Sequence, residues 1–323
     1  MGPTSSPAGR APALPALLRG RAAQHPSRPA LILVDDGETE TGRLSWAEFD
    51  AATLRVAAAL ADRGLAGERV LIACPSPRDF MVGFLGCLRA GAIAVPVPAG
   101  AANRLGERVR AIAADCAPGL VLTGADVRPG SDAEALRGLP WATVAACEAG
   151  PDAPEQSVDP DAVAMLQYTS GSTRRPRGVA LTHANLLANL EMLQAAAGLG
   201  SGRGAETTVS WMPLHHDMGL IAMALQTLHG GGTCVLMRPL HFVQRPLRWL
   251  ACMSRYGATL SGAPTFAYRL CVERARAGEV ADLDLSAWRC AIVAAEPVRA
   301  EVLDAFADTF RAVGFRRDAL FPA

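Results

Sequence analysis

Short apolar segments alternate along the chain with longer segments whose apolar residues recur at helical spacing. The first apolar runs have the length of buried strands, and they read ALILVDD, RVLIAC, AIAVPVP and GLVLTG. Between them lie segments that favour helices, the clearest being MVGFLGCLRAG and residues 105–116. Strands and helices in alternation indicate right-handed crossovers and a mainly parallel sheet with helices on both faces. The pattern therefore predicts an α/β fold.

One helix start is marked by a specific local signal. Ser45 is a favourable N-cap residue, and Glu48 stands three positions later, as a capping box requires. The apolar residues that follow near helical spacing are Trp46, Phe49, Leu54 and Leu60. Gly64 is a residue type that commonly ends a helix. A helix is therefore predicted from Ser45 to about Gly64.

Residues 148–161, EAGPDAPEQSVDPD, are acidic and contain three prolines, which is typical of a linker. Beyond them the alternation resumes, with strands predicted at AVAMLQY, VALT, VSWMPL, TCVLM and CAIVAA and helices at 185–197 and LIAMALQTL. This pattern predicts a disordered N-terminus over 1–23, a first α/β subdomain over 24–150, a linker over 151–160 and a second α/β subdomain over 161–323.

Composition limits the classes of function. Half of the 323 residues are hydrophobic and 19% are charged, which excludes a disordered chain. The 31 basic and 31 acidic residues give a net charge of zero, so there is no electrostatic case for nucleic acid or an anionic membrane as partner. Every basic residue is arginine, and the chain therefore offers no lysine for catalysis.

The cysteines and the N-terminal residues indicate the cellular compartment in which the protein is expected. The 8 cysteines stand singly, several of them within apolar runs, and no Cys-x-x-Cys pair suggests a metal site or a disulfide framework. The N-terminus contains Pro and Arg where a signal peptide needs an apolar stretch. No uncharged apolar run reaches the roughly 18 residues of a spanning helix. A cytoplasmic protein without an integral membrane segment is expected.

The segment YTSGSTRRPRG, Tyr168 to Gly178, is the most specific candidate for chemistry. It groups hydroxyl side chains around Gly171, and hydroxyls and free backbone N–H groups suit a polyphosphate. Arg177 could neutralise phosphate charge. Composition alone favours a solvated loop, because Ser, Thr and Gly are ordinary loop residues. It is not a Walker loop, since six residues separate Gly171 from Gly178, no lysine follows and the next element is a predicted strand.

This segment, which we call the phosphate loop, resembles the loop of the adenylate-forming superfamily of acyl-CoA synthetases, luciferases and peptide-synthetase adenylation domains. In that superfamily the loop holds the β- and γ-phosphates of ATP. The resemblance implies that the nucleotide contacts are Thr169, Ser170, Gly171, Ser172, Thr173, Arg177 and Gly178, with Thr169 also ligating Mg²⁺. Two departures are Arg174, where the family usually has Gly, and Arg177, where it usually has Lys.

The segment WMPLHHDMGLI resembles the histidine motif of the fatty-acyl-AMP ligase branch. The resemblance implies that His216 is catalytic and that Trp211, Asp217 and Met218 line the substrate pocket. By itself, an imidazole beside a carboxylate could orient a substrate, or could be a structural histidine at a strand end. Adjacent side chains on a strand point to opposite faces, so a metal shared by His215, His216 and Asp217 is not expected.

Two later segments agree with the same branch. In SGAPTFAY, the resemblance places Gly262, Pro264 and Phe266 at the acyl and nucleotide pockets; the alternative is a turn followed by a core helix. In AIVAAEPVRAE, it places Ala294, Ala295, Glu296 and Pro297 beside adenine, with Ala294 replacing the usual Gly. The alternative for Glu296 and Pro297 is an acidic helix N-terminus.

The resemblance, which extends from Gln24 to Ala323, implies a fold and an activity. The fold is a truncated N-terminal domain with two mainly parallel sheets in αβαβα layers, without the lysine-bearing C-terminal domain. The activity is ATP- and Mg²⁺-dependent conversion of a long-chain fatty acid to an acyl-adenylate. The acceptor is an acyl carrier protein or a polyketide synthase or peptide synthetase module, rather than CoA. The alternative is a non-catalytic relative that at most binds nucleotide or acyl chain, and this chain alone is expected to be inactive or incomplete.

Overall fold

The computed structural model describes residues 13–34, 36–99, 103–125, 136, 138–151, 157–169, 176–199, 205–275, 280 and 282–323. Its strands are β1 Pro29–Leu33, β2 Gly42–Ser45, β3 Arg69–Ala73, β4 Ile93–Pro96, β5 Leu120–Thr123, β6 Trp141–Thr143, β7 Val163–Thr169, β8 Arg177–Thr182, β9 Thr207–Ser210, β10 Thr233–Leu236, β11 Leu260–Ala263, β12 Cys290–Val293 and β13 Leu320–Pro322.

The α-helices are α1 Leu14–Gln24, α2 Trp46–Ala61, α3 Pro77–Arg89, α4 Asn103–Cys116, α5 Val144–Glu148, α6 His183–Ala196, α7 Gln226–His229, α8 Pro239–Gln244, α9 Leu247–Arg255, α10 Thr265–Ala275 and α11 Ala300–Phe310. A π-helix covers Met218–Leu225, and 3₁₀ turns cover Arg311–Val313 and Arg317–Ala319. Within the described ranges, no helix is both long and apolar enough to cross a membrane.

The strands form two sheets. The seven-stranded sheet has the order β13-β12-β11-β9-β10-β1-β2, and only β2 is antiparallel to its neighbour. The six-stranded sheet has the order β6-β5-β3-β4-β7-β8, and only β8 is antiparallel. The predicted α/β class with two mainly parallel sheets is therefore confirmed.

Three hydrophobic clusters fill the spaces between the layers. The first lies between the sheets and contains residues of α1, α2, α3, α6 and the π-helix. The second packs α9, α10 and α11 against the outer face of the seven-stranded sheet. The third covers the outer face of the six-stranded sheet with α4. Because successive strand residues face opposite sides, each sheet contributes to two clusters, which gives the layers helix, sheet, helix, sheet, helix.

The sheets do not follow the division of the chain at residues 151–160. The early strands β1 and β2 join the seven-stranded sheet, where Leu31 lies opposite Cys234. Conversely, β7 and β8 lie beyond that segment in sequence, yet they extend the six-stranded sheet, where Met165 lies opposite Ala94. A hydrophobic pattern predicts a strand but not its partner, so this exchange of strands was not predicted from the sequence.

The N-terminal part also differs from the prediction of disorder over 1–23. The structure has helix α1 at Leu14–Gln24, with Leu14 fully buried and Leu18 8% exposed in the core between the sheets. The Arg21 guanidinium donates a hydrogen bond to the His229 carbonyl at 3.0 Å. The prediction of disorder is therefore wrong for residues 13–23, because long-range packing stabilises a segment of weak helical pattern; residues 1–12 lie outside the described part.

The predicted start of α2 is confirmed. The Ser45 hydroxyl accepts a hydrogen bond from the Glu48 backbone N–H at 3.2 Å, and the Glu48 carboxylate accepts one from the Ser45 N–H at 2.8 Å. This signal could be read from the sequence because both partners lie within one helical turn.

Candidate functional site

The stem of the phosphate loop is a pair of antiparallel strands. Strand β7 ends at Thr169 and β8 begins at Arg177, and these two residues lie opposite each other. Thr169, Arg177 and Gly178 are all exposed, as a contact with a ligand requires. The other predicted phosphate contacts, Ser170, Gly171, Ser172 and Thr173, lie outside the described residues.

The buried side chain of Tyr168 packs against this stem. It is 5% exposed, and a Cβ atom on the opposite Gly178 would lie 2.9 Å from its ring carbon Cζ. Its hydroxyl donates a hydrogen bond to the Asp115 carboxylate of α4 at 2.5 Å. Burial, and then the bond to Asp115, raise the pKa of the Tyr168 hydroxyl. Gly178 is therefore needed for the close approach of the ring, in addition to any contact with phosphate.

Residues 213–217 form a turn between β9 and the π-helix, which we call the histidine turn. The His216 N–H donates to the Pro213 carbonyl at 3.1 Å, and the Asp217 carboxylate accepts from the Met218 N–H at 2.7 Å. A Cβ atom on Gly219 would overlap the Pro213 carbonyl oxygen, so glycine allows the helix to start against the turn. The predicted helix in LIAMALQTL is present, with its first part π-helical.

His215, His216 and Asp217 lie in this turn and not on the strand that was expected here. In the turn, the His215 and His216 rings are neighbours, with their centroids 4.4 Å apart. Even so, the described ranges contain no group of three or more His, Cys, Asp or Glu residues that could hold a metal ion.

Both imidazoles of the turn are biased towards the neutral form. Burial first, then His216 and Arg108, lower the pKa of His215 to about 4. Desolvation and Arg108 also lower the pKa of His216, against the opposing effect of Asp217. At neutral pH, His216 can therefore donate or accept a hydrogen bond without adding a positive charge. Arg108, on α4, was not predicted as a site residue, because nothing in the local sequence connects it with the turn.

An aromatic cluster supports the turn. The Trp211 ring stacks on Phe242 of α8 at a centroid distance of 3.8 Å and meets the edge of Phe266 at 6.3 Å. Trp211 is 4% exposed and is therefore part of the core beside the turn, whereas Phe266 is 36% exposed. Phe242 was not singled out from the sequence, although it lies next to the QRPLRWL segment.

The predicted pocket residues Gly262 and Met218 lie next to each other. A Cβ atom on Gly262 would lie 3.1 Å from the Met218 methyl carbon and 2.9 Å from Ile292 Cβ. Met218 is buried, and Pro264 follows the end of β11. Glycine at 262 therefore makes room for these two side chains.

Residues 294–297 follow β12 and turn towards helix α10. Ala295 has a φ of +70°, a left-handed conformation that is strained for any residue other than glycine. The Glu296 carboxylate accepts a hydrogen bond from the Phe266 N–H at 2.6 Å, at the start of α10. The expected acidic group at a helix N-terminus is therefore present, but at α10 rather than at the helix that follows in sequence. Ala294 is half-buried, and Pro297 is exposed.

A cleft of about 260 Å³ opens between the sheets at the carboxyl ends of β3, β4, β9 and β10. Its walls are mostly apolar, and its polar side chains include His215 and Arg238; the apolar lining includes Cys74, Phe80, Val97, Met212 and Met237. Ligands in α/β proteins commonly bind at such strand ends. The cleft was not predicted, since its walls come from four segments distant in sequence.

The predicted site residues are thus arranged at the carboxyl ends of β7, β9, β11 and β12. The contact that links the two sheets here is a hydrogen bond from the Gln167 amide of β7 to the His215 carbonyl at 3.0 Å. It joins the strand leading into the phosphate loop to the histidine turn. Sequence reasoning did not single out Gln167, although a lone amide in the apolar run AVAMLQY was a visible signal.

Comparison with known proteins gives consistent results. Medium-chain-fatty-acid–[acyl-carrier-protein] ligase JamA of Moorena producens is 37% identical over 95% of this chain and 53% of its own length. Long-chain-fatty-acid–AMP ligase FadD23 of Mycobacterium tuberculosis is 36% identical over 96% of this chain and 55% of its own length. The crystal structure of a fatty acyl-adenylate ligase from Legionella pneumophila, in complex with acyl adenylate and pyrophosphate, matches with a TM-score of 0.86 and 34% identity over 95% of this chain and 54% of that one.

The chain spans about half the length of these relatives. The AMP-binding enzyme family itself matches residues 18–315, nearly the whole sequence. The family resemblance seen in the phosphate loop is therefore confirmed, and the chain belongs to the AMP-binding enzymes, with fatty-acid–AMP ligases among its relatives.

Proposed function

We propose that this chain supplies the nucleotide and acyl sites of an enzyme that activates a fatty acid with ATP. The products are an acyl-adenylate and pyrophosphate. The observation that carries the proposal is the hydrogen bond between Gln167 and the His215 carbonyl, which brings the phosphate-loop stem and the histidine turn together. The names of the relatives, which specify fatty acids, AMP and an acyl carrier protein, support the choice of substrate.

The phosphate end of the site would use hydroxyls and arginine. Thr169 and Arg177 are exposed at the two ends of the loop stem, where a hydroxyl and a guanidinium can contact the β- and γ-phosphates. Ser170, Gly171, Ser172 and Thr173 would add hydroxyl and backbone donors. The charge on Arg177 stabilises the pyrophosphate as it leaves.

A Mg²⁺ ion is compatible with this arrangement. The described residues offer an exposed hydroxyl at Thr169 and no carboxylate cluster, which suits an ion that keeps several waters and binds mainly to phosphate oxygens. Bound in this way, Mg²⁺ would offset the charge of the phosphates. The protein's own contribution is to place the Thr169 hydroxyl at the end of β7.

The reacting end would lie at the histidine turn. In the reaction, a carboxylate oxygen of the fatty acid attacks the α-phosphorus of ATP, and the bond to the β-phosphate oxygen breaks. A neutral His216 can donate an N–H hydrogen bond to an oxygen of the carboxylate or the α-phosphate and so orient both. Met218, Gly262, Pro264 and Phe266 would border the acyl chain.

The adenine would lie against residues 294–297. Small side chains at Ala294 and Ala295, with Pro297, leave a flat surface for a base, while Glu296 is engaged by the Phe266 N–H. The Trp211 ring would hold the Phe266 ring in place through their edge-to-face contact. Asp217 would hold the start of the π-helix through its bond to the Met218 N–H.

The acceptor of the acyl group is proposed to be an acyl carrier protein, free or within a polyketide synthase or peptide synthetase module, rather than CoA. The name of the relative JamA supports the carrier protein. A cytoplasmic location is proposed as well, in keeping with the eight free, buried cysteines.

The test is pyrophosphate release from ATP and Mg²⁺ in the presence of fatty acids of graded chain length, by this chain joined to the remaining half of a relative such as FadD23, because the chain spans about half of that relative's length. Release that depends on a fatty acid and is lost in Arg177→Ala and His216→Ala supports the proposal. Activity with amino acids or aromatic acids instead would contradict the fatty-acid assignment. Saturable binding of ATP or fatty acid without any turnover would favour the alternative, a relative that binds but does not catalyse.

A further inference from the structure

Strand β7 ends with three residues that face three parts of the site. Thr169 leads into the phosphate loop, Tyr168 is bonded to Asp115 of α4, and Gln167 is bonded to the histidine turn. Successive strand residues point to opposite faces, so Tyr168 and Gln167 anchor the strand on both sides. The end of β7 is therefore a fixed reference point within the six-stranded sheet.

Gln167 is an unusual residue for its position. It is 7% exposed, and its neighbours Met165 and Tyr168 are also buried. Its Nε2 atom donates to the His215 carbonyl at 3.0 Å, whereas its Oε1 atom is buried without a hydrogen-bond partner in the described part of the structure. A buried amide that is only half satisfied costs stability relative to an apolar residue of the same size. Stability alone therefore does not account for glutamine here.

The hydrogen bond from Gln167 reaches the backbone of the turn at His215, one of its two adjacent histidines. The Pro213 carbonyl accepts from the His216 N–H, and the His216 carbonyl accepts from the Leu220 N–H, so these two groups are satisfied locally. The His215 carbonyl is reached from the other sheet, by Gln167. The hydrogen bond from Gln167 thus fixes the distance of the histidine turn from β7, whereas the local bonds fix the conformation of the turn.

We propose that Gln167 is a positioning residue, whose amide holds the histidine turn at a set distance from the strand that leads into the phosphate loop. Its consequence for catalysis rests on the proposed function: the imidazole of His216 and the phosphate contacts must be held in one geometry while the carboxylate attacks. The positioning itself is a property of this chain, and it can be tested without any reaction.

The test compares Gln167→Met with Gln226→Met by measuring the pKa of each of the 6 histidines by NMR. Methionine keeps the length of the side chain and removes the donor. Gln226, on α7, is a matched control, because it is 3% exposed and its Oε1 atom likewise has no partner in the described part. The groups that lower the pKa of His215 are His216 and Arg108, Arg238 lines the same cleft as His215, and neither variant changes any of them.

In the wild type, burial and the neighbouring His216 and Arg108 lower the pKa of His215 to about 4. In Gln167→Met the turn is released and better solvated, so this pKa is expected to rise towards the ordinary value of 6.5, while Gln226→Met leaves it unchanged. An unchanged His215 in folded Gln167→Met, or the same rise in both variants, would overturn the proposal.

A second variant covers the case in which Gln167→Met does not fold. Tyr168→Phe keeps the ring against Gly178 and removes the hydroxyl with its bond to Asp115 and its contact with Cys116, so it loosens the end of β7 while Gln167 stays in place. A smaller rise in the pKa of His215 is then expected, and no rise would count against the proposal. Absence of saturable binding of a fatty-acyl-adenylate analogue, combined with the expected pKa changes, would instead refute the proposed function and leave the positioning role intact.

Discussion

At the residue scale, residues 294–297, proposed to lie beside adenine, show a clear difference between the sequence pattern and the structure. The family usually has glycine where Ala294 stands, yet the left-handed backbone, with φ of +70°, occurs at Ala295. The sequence could not show this, because the conformation of a residue at the end of a strand is set by the turn that follows. The bond between Glu296 and the Phe266 N–H holds that turn towards α10.

We expect Ala295→Gly to raise the free energy of unfolding by roughly 0.5–1 kcal/mol, because relief of the left-handed strain exceeds the entropy that glycine loses on folding. Ala294→Gly is the matched control. It relieves no such strain and should lower the free energy of unfolding by a similar amount. Urea unfolding of both variants measures this. Stabilisation by Ala294→Gly but not by Ala295→Gly would contradict the assignment.

His183 gives a pH-dependent prediction. Its side chain is 1% exposed at the start of α6, and burial lowers its pKa from 6.5 to about 4. Between these values the unfolded chain binds more protons than the folded one, so stability falls as the pH drops from 6.5 to about 4, by about 3 kcal/mol from this residue. The slope of unfolding free energy against pH should be shallower in His183→Gln, and an equal slope would exclude His183 as its source.

At the element scale, features encoded within one turn were predictable and features set by distant contacts were not. The capping box of Ser45 and Glu48 gave the start of α2 directly. By contrast, helix α1 has little helical pattern of its own and depends on Leu14 being buried between the sheets. The strand assumed around His215 is a turn, because the π-helix must start immediately after it against Pro213.

Substitution by alanine is expected to have opposite effects on stability at two glycines that lie in helices. A Cβ atom on Gly219 would overlap the Pro213 carbonyl and lie 2.9 Å from the Met212 carbonyl oxygen, so Gly219→Ala should destabilise by about 1–3 kcal/mol and displace the histidine turn. Gly20 in α1 has nothing within 4 Å, so Gly20→Ala should stabilise by up to about 1 kcal/mol. Thermal unfolding distinguishes the two, and tolerance of Gly219→Ala would show that the helix start can shift.

At the scale of the whole molecule, the order of the motifs along the chain indicated the family, and the α/β alternation indicated the layers. The pairing of β1 with β10 and of β7 with β4 could not be predicted from the sequence, because strand pairing depends on packing between distant segments. The same limit applies to the site. Each motif was visible by itself, but the link from Gln167 to the His215 carbonyl and the cleft between the sheets depend on how the two sheets meet.

Equilibrium binding of a stable fatty-acyl-adenylate analogue, a long-chain acyl-sulfamoyl adenosine, to the purified chain tests the proposed acyl-adenylate site. If the ends of β9, β11 and β12 form the acyl-adenylate site, binding is saturable, exceeds that of an aminoacyl analogue, and weakens about tenfold or more in Gly262→Val, whose side chain would meet Met218 and Ile292. Absence of saturable binding by the folded chain, or preference for the aminoacyl analogue, would contradict the account.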